Sequence, residues 1–197
     1  MALTTEEVII ELKYYQMYIG KAISYVYIND KICDFFDLEK EKYNLYACSL
    51  GEISSSLIMS QRILFSNLLL EDKGRCIPKL LNKLDSNQIC DNTNFNLKIK
   101  TIVNEMKDIM DLQAKNIEKL KEYRHKVYAH FDKGLFNTEW QKTFVQKNDC
   151  DFDAIINTCI ELFEKIYELI VLLGGEPFGK TLMKPYDINY LISRLKG

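Results

Sequence analysis

The sequence predicts an all-α fold: an antiparallel bundle of four long helices with short additional helices. Three observations carry that prediction. Apolar residues recur at alternating steps of three and four over long stretches, the spacing of one helix face. No stretch alternates apolar and polar residues in the two-residue rhythm of a half-buried strand. With 3 prolines and 8 glycines in 197 residues, little interrupts a long helix. A chain of this length buries a substantial core without staples, and no repeat or low-complexity tract divides it, so residues 1–197 read as one domain.

Each element follows from local signals. Thr4 or Thr5 is a suitable N-cap, and Glu6 and Glu7 suit the positive end of a helix. Val8, Leu12, Tyr15, Ile19, Ala22 and Val26 then set a helix from about residue 5 to 29, with a continuation through Cys33 and Phe36 left open and Gly20 as a weak point. Its tyrosines, Tyr14, Tyr15, Tyr18, Tyr25 and Tyr27, spread beyond one stripe; packing by amphipathic rings is the commoner reading, a partner surface the other. A charged link, Asp37 to Lys42, leads to a second long helix with Tyr43, Ala47, Leu50, Ile53, Leu57, Leu64 and Leu68 as its apolar face. Gly51 and Ser54-Ser55-Ser56 narrow its middle for close helix approach, and Asp72-Lys73-Gly74 end it.

Pro78 opens a short helix, Lys79 to Leu84, as proline does in a first turn. Residues 85–94 carry loop chemistry. A third long helical region starts near Phe95, with Leu97, Ile102 and Val103 leading into the stripe Met106, Met110, Ile117, Leu120, Val127 and Phe131. A bend is expected near Asp108 and a stop at Gly134. A polar loop containing Trp140 follows. Asp149 or Asp151 caps the fourth long helix, faced by Ile155, Cys159, Leu162, Ile166, Leu169 and Leu173 and closed by Gly174-Gly175. Asp187 caps a short amphipathic tail helix.

The composition, 47% hydrophobic and 27% charged, is that of a soluble globular protein. A net charge of −2 argues against a global polyanion binder, so any nucleic-acid contact has to be local. The 6 cysteines are scattered with no C-x-x-C pair and read as reduced thiols of a cytoplasmic protein. The start of the chain lacks the basic patch and apolar core of a signal peptide. The longest apolar run, Leu169 to Leu173, is too short to cross a bilayer.

Both of the chain's 2 histidines fall in the run from Tyr123 to Asp132 that closes the third long helix. Arg124 occupies the next position of the apolar stripe; at roughly 100° per residue it points between Leu120 and Val127, into the packed face. A guanidinium there is costly unless paired or lining a cavity. Three readings compete. Glu122 and His125 form an E-x-x-H, but a di-metal carboxylate site needs a second copy on another helix and none exists; no metal and no cofactor is expected. A capping arginine and a histidine at the negative helix end form a structural reading. The third is acid–base chemistry on a phosphodiester, with imidazole moving the proton and guanidinium neutralising charge on the phosphoryl oxygens. One arginine and one histidine do little alone; a second copy across a two-fold axis supplies both an acid and a base. Lys119, Lys121, Lys126 and Lys133 add positive charge beside Glu118, Glu122 and Asp132.

Arg124-His-Lys-Val-Tyr-Ala-His130, an arginine and a histidine separated by a spacer of five, resembles the signature of the HEPN superfamily. The form R-x-K-x-x-A-H-x-D, with Lys126, Ala129 and Asp132, resembles the abortive-infection AbiU-type branch. So does Leu68-Leu69-Leu70-Glu71-Asp72-Lys73 followed by Ile77-Pro78-Lys79-Leu80-Leu81, which is similar to the segment before that branch's short helix. The resemblance implies a helical-bundle homodimer whose motifs meet in a composite, metal-independent ribonuclease site. It implies a toxin or phage-defence effector, with an antitoxin protein as a partner. In that reading Arg124 holds the scissile phosphate, His130 is the acid–base, His125 the polar helper, and Lys126, Tyr128 and Asp132 surround the RNA. The runner-up is a non-catalytic HEPN-like module that binds RNA or a protein.

Overall fold

The structure, a computed structural model, describes residues 4–38, 40–70, 74–89, 93–124 and 150–179. Among these residues the chain is an all-α helical bundle without strands. The helices are α1 (Thr5–Leu38), α2 (Lys40–Leu69), α3 (Ile77–Ser86), α4 (Thr93–Leu112), α5 (Ala114–Tyr123) and α6 (Phe152–Leu172). One buried cluster draws side chains from all six.

α1 starts at a reciprocal cap. The Glu7 N–H donates to the Thr4 hydroxyl at 3.2 Å, and the Thr4 N–H donates back to the Glu7 carboxylate at 2.9 Å, so two orphan donors of the first turn are satisfied. The same bond holds the Glu7 carboxyl below its ordinary pKa. The helix does not stop at residue 29. Ile32 and Phe35 continue the buried face established by Leu12, Tyr15 and Ile19, and this packing carries α1 on to Leu38.

α1 and α2 run in opposite directions. Asn29 meets Ser54, Tyr25 lies beside Ile53 and Leu57, and Tyr14 and Tyr18 lie beside Asn67 and Leu68. The expected face of α2 is only partly buried: Ile53 is 48% exposed, and Phe65, Leu68 and Leu69 form the buried face at its C-terminal end. The core covers that end and leaves the Ile53 end outside. Gly51 does not serve close helix approach either, since a Cβ built there meets nothing within 4 Å.

α3 begins at Ile77, two residues earlier than expected, with Pro78 in its first turn. It buries Ile77, Leu80, Leu81 and Leu84. Ion pairs of Lys83 with Glu11 and of Asp85 with Lys107 flank it on the α1 and α4 sides. α4 begins at Thr93 and buries Ile99, Val103 and Met106, whereas Leu97, expected in the stripe, is 59% exposed. The break in the third helical region falls at Gln113 rather than near Asp108. Gln113 is the polar residue that interrupts the apolar stripe, and its backbone leaves helical geometry (φ −106°, ψ 10°).

Asp151 caps α6, its carboxylate accepting the Ala154 N–H at 2.9 Å. Asn116 of α5 clamps that end: its amide donates to the Asp151 carbonyl at 3.0 Å and accepts the Asp151 N–H at 2.9 Å. Further along, Lys165 pairs with Glu105 at 2.7 Å and Tyr167 to Leu172 lie beside Lys98 to Ile102, so α6 opposes α4 and α5 in direction. Gly174 ends α6 with φ 79°, a left-handed conformation that glycine adopts without strain. Leu173, expected on the buried face, is half-buried. Beyond it, fully buried Gln16 holds the chain through both the N–H (2.7 Å) and the carbonyl (3.1 Å) of Phe178.

No helix among the described residues is long and apolar enough to cross a membrane. The Val127 and Phe131 part of the third stripe, the Gly134 stop, the Trp140 loop and the Asp187 tail helix lie outside the described residues.

Candidate functional site

The site is built around the end of α5. Ile117 and Leu120 anchor that helix in the core, with Leu120 fully buried. The Arg124 N–H continues the helical bonding onto the carbonyls of Leu120 and Lys121. The side chain therefore leaves the helix about one turn beyond Leu120, on the same side. Arg124 is half-buried and lines a cavity of about 430 Å³.

Three other parts of the chain complete this cavity. α1 contributes Tyr14 and Tyr18, α2 contributes Asn67 and Leu68, and the segment from Leu70 to α3 contributes Gly74, Arg75 and Cys76. Arg75 lays its guanidinium over the Tyr14 ring, 4.6 Å from the centroid, in a cation–π stack. Tyr14 is held in turn by Tyr18, whose ring is 4.5 Å away and tilted by 33°, and by Tyr15, which meets it edge-on at 5.7 Å. Buried Tyr15 donates its hydroxyl to the Cys76 carbonyl at 3.1 Å, which ties α1 to the backbone next to Arg75.

Among the described residues the charge lining this cavity is of one sign, with two arginines and no carboxylate. The Tyr14 hydroxyl titrates above its ordinary range, first through its bond to Tyr18 and then through burial, with Arg75 opposing. It stays neutral at physiological pH and offers a polar edge rather than an anion. The arrangement suits an anion with several oxygen acceptors, because each guanidinium presents planar, permanently charged donors. Arginine and neutral tyrosine do not exchange protons near pH 7, so any acid–base step at this site must come from other groups.

Of the expected site residues, Arg124 is placed on this cavity. His125, Lys126, Tyr128, His130 and Asp132 lie outside the described residues. The lysines of α5 are set among carboxylates: Lys121 and Glu118 approach to 3.6 Å on the exposed helix face, an arrangement of solvated helix charge. Among the described residues no group of three or more His, Cys, Asp or Glu side chains comes together as a metal site.

Sequence reasoning missed Arg75, Tyr14 and Tyr18. The tyrosines read as packing, and Arg75 lies between the two segments that carry the family resemblance, Leu68 to Lys73 and Ile77 to Leu81. The available signal was the spacing of Tyr14 and Tyr18, which stacks them one turn apart on a helix face. No family model, curated protein or solved structure matches the chain.

Proposed function

We propose that the protein is a metal-independent endoribonuclease of HEPN type, acting as a cytoplasmic homodimer in phage defence or as the toxin of a toxin–antitoxin pair. One observation carries the reading: Arg124, the arginine of the signature, lines a cavity with a second guanidinium and no described carboxylate. Guanidinium groups bind phosphodiesters through planar, charged donors, and two of them line this cavity. The pairwise opposition of α1 with α2, and of α4 and α5 with α6, supports an antiparallel bundle of four long helices, the architecture that the signature implies.

In this reading Arg124 binds the scissile phosphate and offsets the charge that develops on its oxygens. His130 moves the proton of the attacking ribose hydroxyl or of the leaving oxygen, and His125 assists. Lys126, Tyr128 and Asp132 contact the RNA nearby. A two-fold partner provides the second acid–base group. Purified protein is expected to cleave RNA in the presence of EDTA, and Arg124→Ala and His130→Ala variants that keep the wild-type melting temperature are expected to lose that activity. Equal cleavage by wild type and both variants rejects the proposal. RNA bound but not cut by the wild type points instead to a non-catalytic RNA-binding module of the same fold, and a strict monomer at high concentration removes the composite site.

A further inference from the structure

We infer that Arg75, stacked on Tyr14 beside Arg124, is a second phosphate-binding residue that holds single-stranded RNA in the cavity. The inference rests on the RNA reading of the Arg124 site, but it assigns a residue that lies outside the signature and far from it in the chain.

The stack explains why Arg75 suits this task. A guanidinium laid on a ring engages that ring through its face, whereas its five N–H donors lie in the guanidinium plane and point outward from its edge. Arg75 also donates a hydrogen bond to the Tyr14 hydroxyl, so Tyr14 orients Arg75 while leaving most of its five donors for a phosphate. The support beneath it is layered. Tyr18 and Tyr15 pack against Tyr14 from two directions, and the Tyr15 hydroxyl fixes the backbone at Cys76, the next residue after Arg75. Side chain and backbone are both constrained before any ligand arrives, which lowers the entropic cost of binding. Arg75 is solvent-exposed and Arg124 half-buried, so an incoming strand meets Arg75 first.

The dimensions and lining favour RNA over a free inorganic anion. A volume of about 430 Å³ exceeds what one phosphate fills and lies in the range of small-ligand pockets. Tyr14 is covered by Arg75 and its neighbouring tyrosines, so the Tyr18 ring and the Asn67 amide are the groups that meet a base. Single-stranded RNA presents that combination of phosphate and unstacked base, whereas a duplex hides its base faces. Two arginines on one cavity also match a strand whose charge repeats from one nucleotide to the next.

The test is fluorescence anisotropy of a labelled, 2′-O-methylated single-stranded oligonucleotide, which binds but cannot be cut at the ribose hydroxyl. It is titrated with wild type, Arg75→Ala and Arg75→Lys over a range of salt concentrations. Arg75→Ala is expected to weaken binding on the order of tenfold and to reduce the salt slope by about 0.7, the value for one lost phosphate contact on a single strand. Arg75→Lys keeps the charge and therefore the salt slope, but recovers only part of the affinity because it lacks the planar fork. Because the lysine variant keeps a cation over Tyr14, it separates RNA contact from folding. Wild-type affinity and salt slope in Arg75→Ala overturn the inference; so does equal affinity for a duplex of the same sequence, or no binding by the wild type. Arg75-dependent binding without cleavage leaves this site standing while the ribonuclease reading falls. Cleavage that needs Arg124 and His130, with KM unchanged in Arg75→Ala, does the reverse.

Discussion

Replacing Tyr15 with phenylalanine tests how the Arg75 segment is held. Tyr15 is 1% exposed, and its hydroxyl donates to the Cys76 carbonyl at 3.1 Å. Tyr15→Phe keeps the ring and opens no cavity. The Cys76 carbonyl is not orphaned by the change, because it also accepts the Leu80 N–H at 3.1 Å. The cost is therefore the net value of one hydrogen bond, about 1 kcal/mol, rather than the larger penalty for an unsatisfied buried carbonyl. In a chain of this length that lowers Tm by about 2–4 °C.

The hydroxyl adds a pH signature. Burial, and then the nearby Glu11 carboxylate, push the Tyr15 pKa well above its ordinary value. Its contribution is fully present below the unfolded-state pKa of about 10 and is lost as pH rises toward the folded-state value. Above pH 10 the unfolded wild type ionises at this position and the folded state does not, so the wild type loses about 1.4 kcal/mol per pH unit. The phenylalanine variant escapes that loss, while Tyr14 and Cys159, also shifted upward, titrate in both proteins and cancel. Urea denaturation followed by circular dichroism is expected to show the wild type ahead at pH 7 and 9, level near pH 11 and behind above it. Equal stability at pH 7, or a gap that does not change with pH, refutes the reasoning.

Two further expectations concern the scaffold. Asp151→Ala removes the cap on the Ala154 N–H and is expected to cost about 1 kcal/mol by denaturant unfolding, with Asp151→Asn close to wild type; a loss as large in the asparagine variant refutes the capping role. Leu120→Ala, at a fully buried position one turn before Arg124, is expected to cost about 2–5 kcal/mol; a cost below 1 kcal/mol shows that α5 is not anchored there.

Starts of helices were legible wherever a side chain answers a backbone N–H a few residues away. Thr4 with Glu7 and Asp151 with Ala154 are closed in this way, while Pro78 marks the first turn of α3 by its missing N–H, with no side-chain cap there. Extents of helices were less legible, because packing at a distance sets them. α1 runs on to Leu38 through the burial of Ile32 and Phe35, and the turn at Gln113 falls where a polar residue interrupts the stripe rather than at Asp108. The face of α2 was misread for a similar reason: periodicity marks which residues share a side, not which part of that side the other helices cover.

Residue spacing alone established that the chain is helical, the approximate starts of most of its helices, and that Arg124 falls on the packed side of one. Those properties depend on neighbours within a turn or two, where backbone geometry does the selecting. Only closure of the bundle decided that Arg124 shares a cavity with Arg75, and that Tyr14 and Tyr18 support that second arginine. These groups come from three separate parts of the chain. Their meeting depends on how α1, α2 and α5 pack against one another, and no local pattern encodes that.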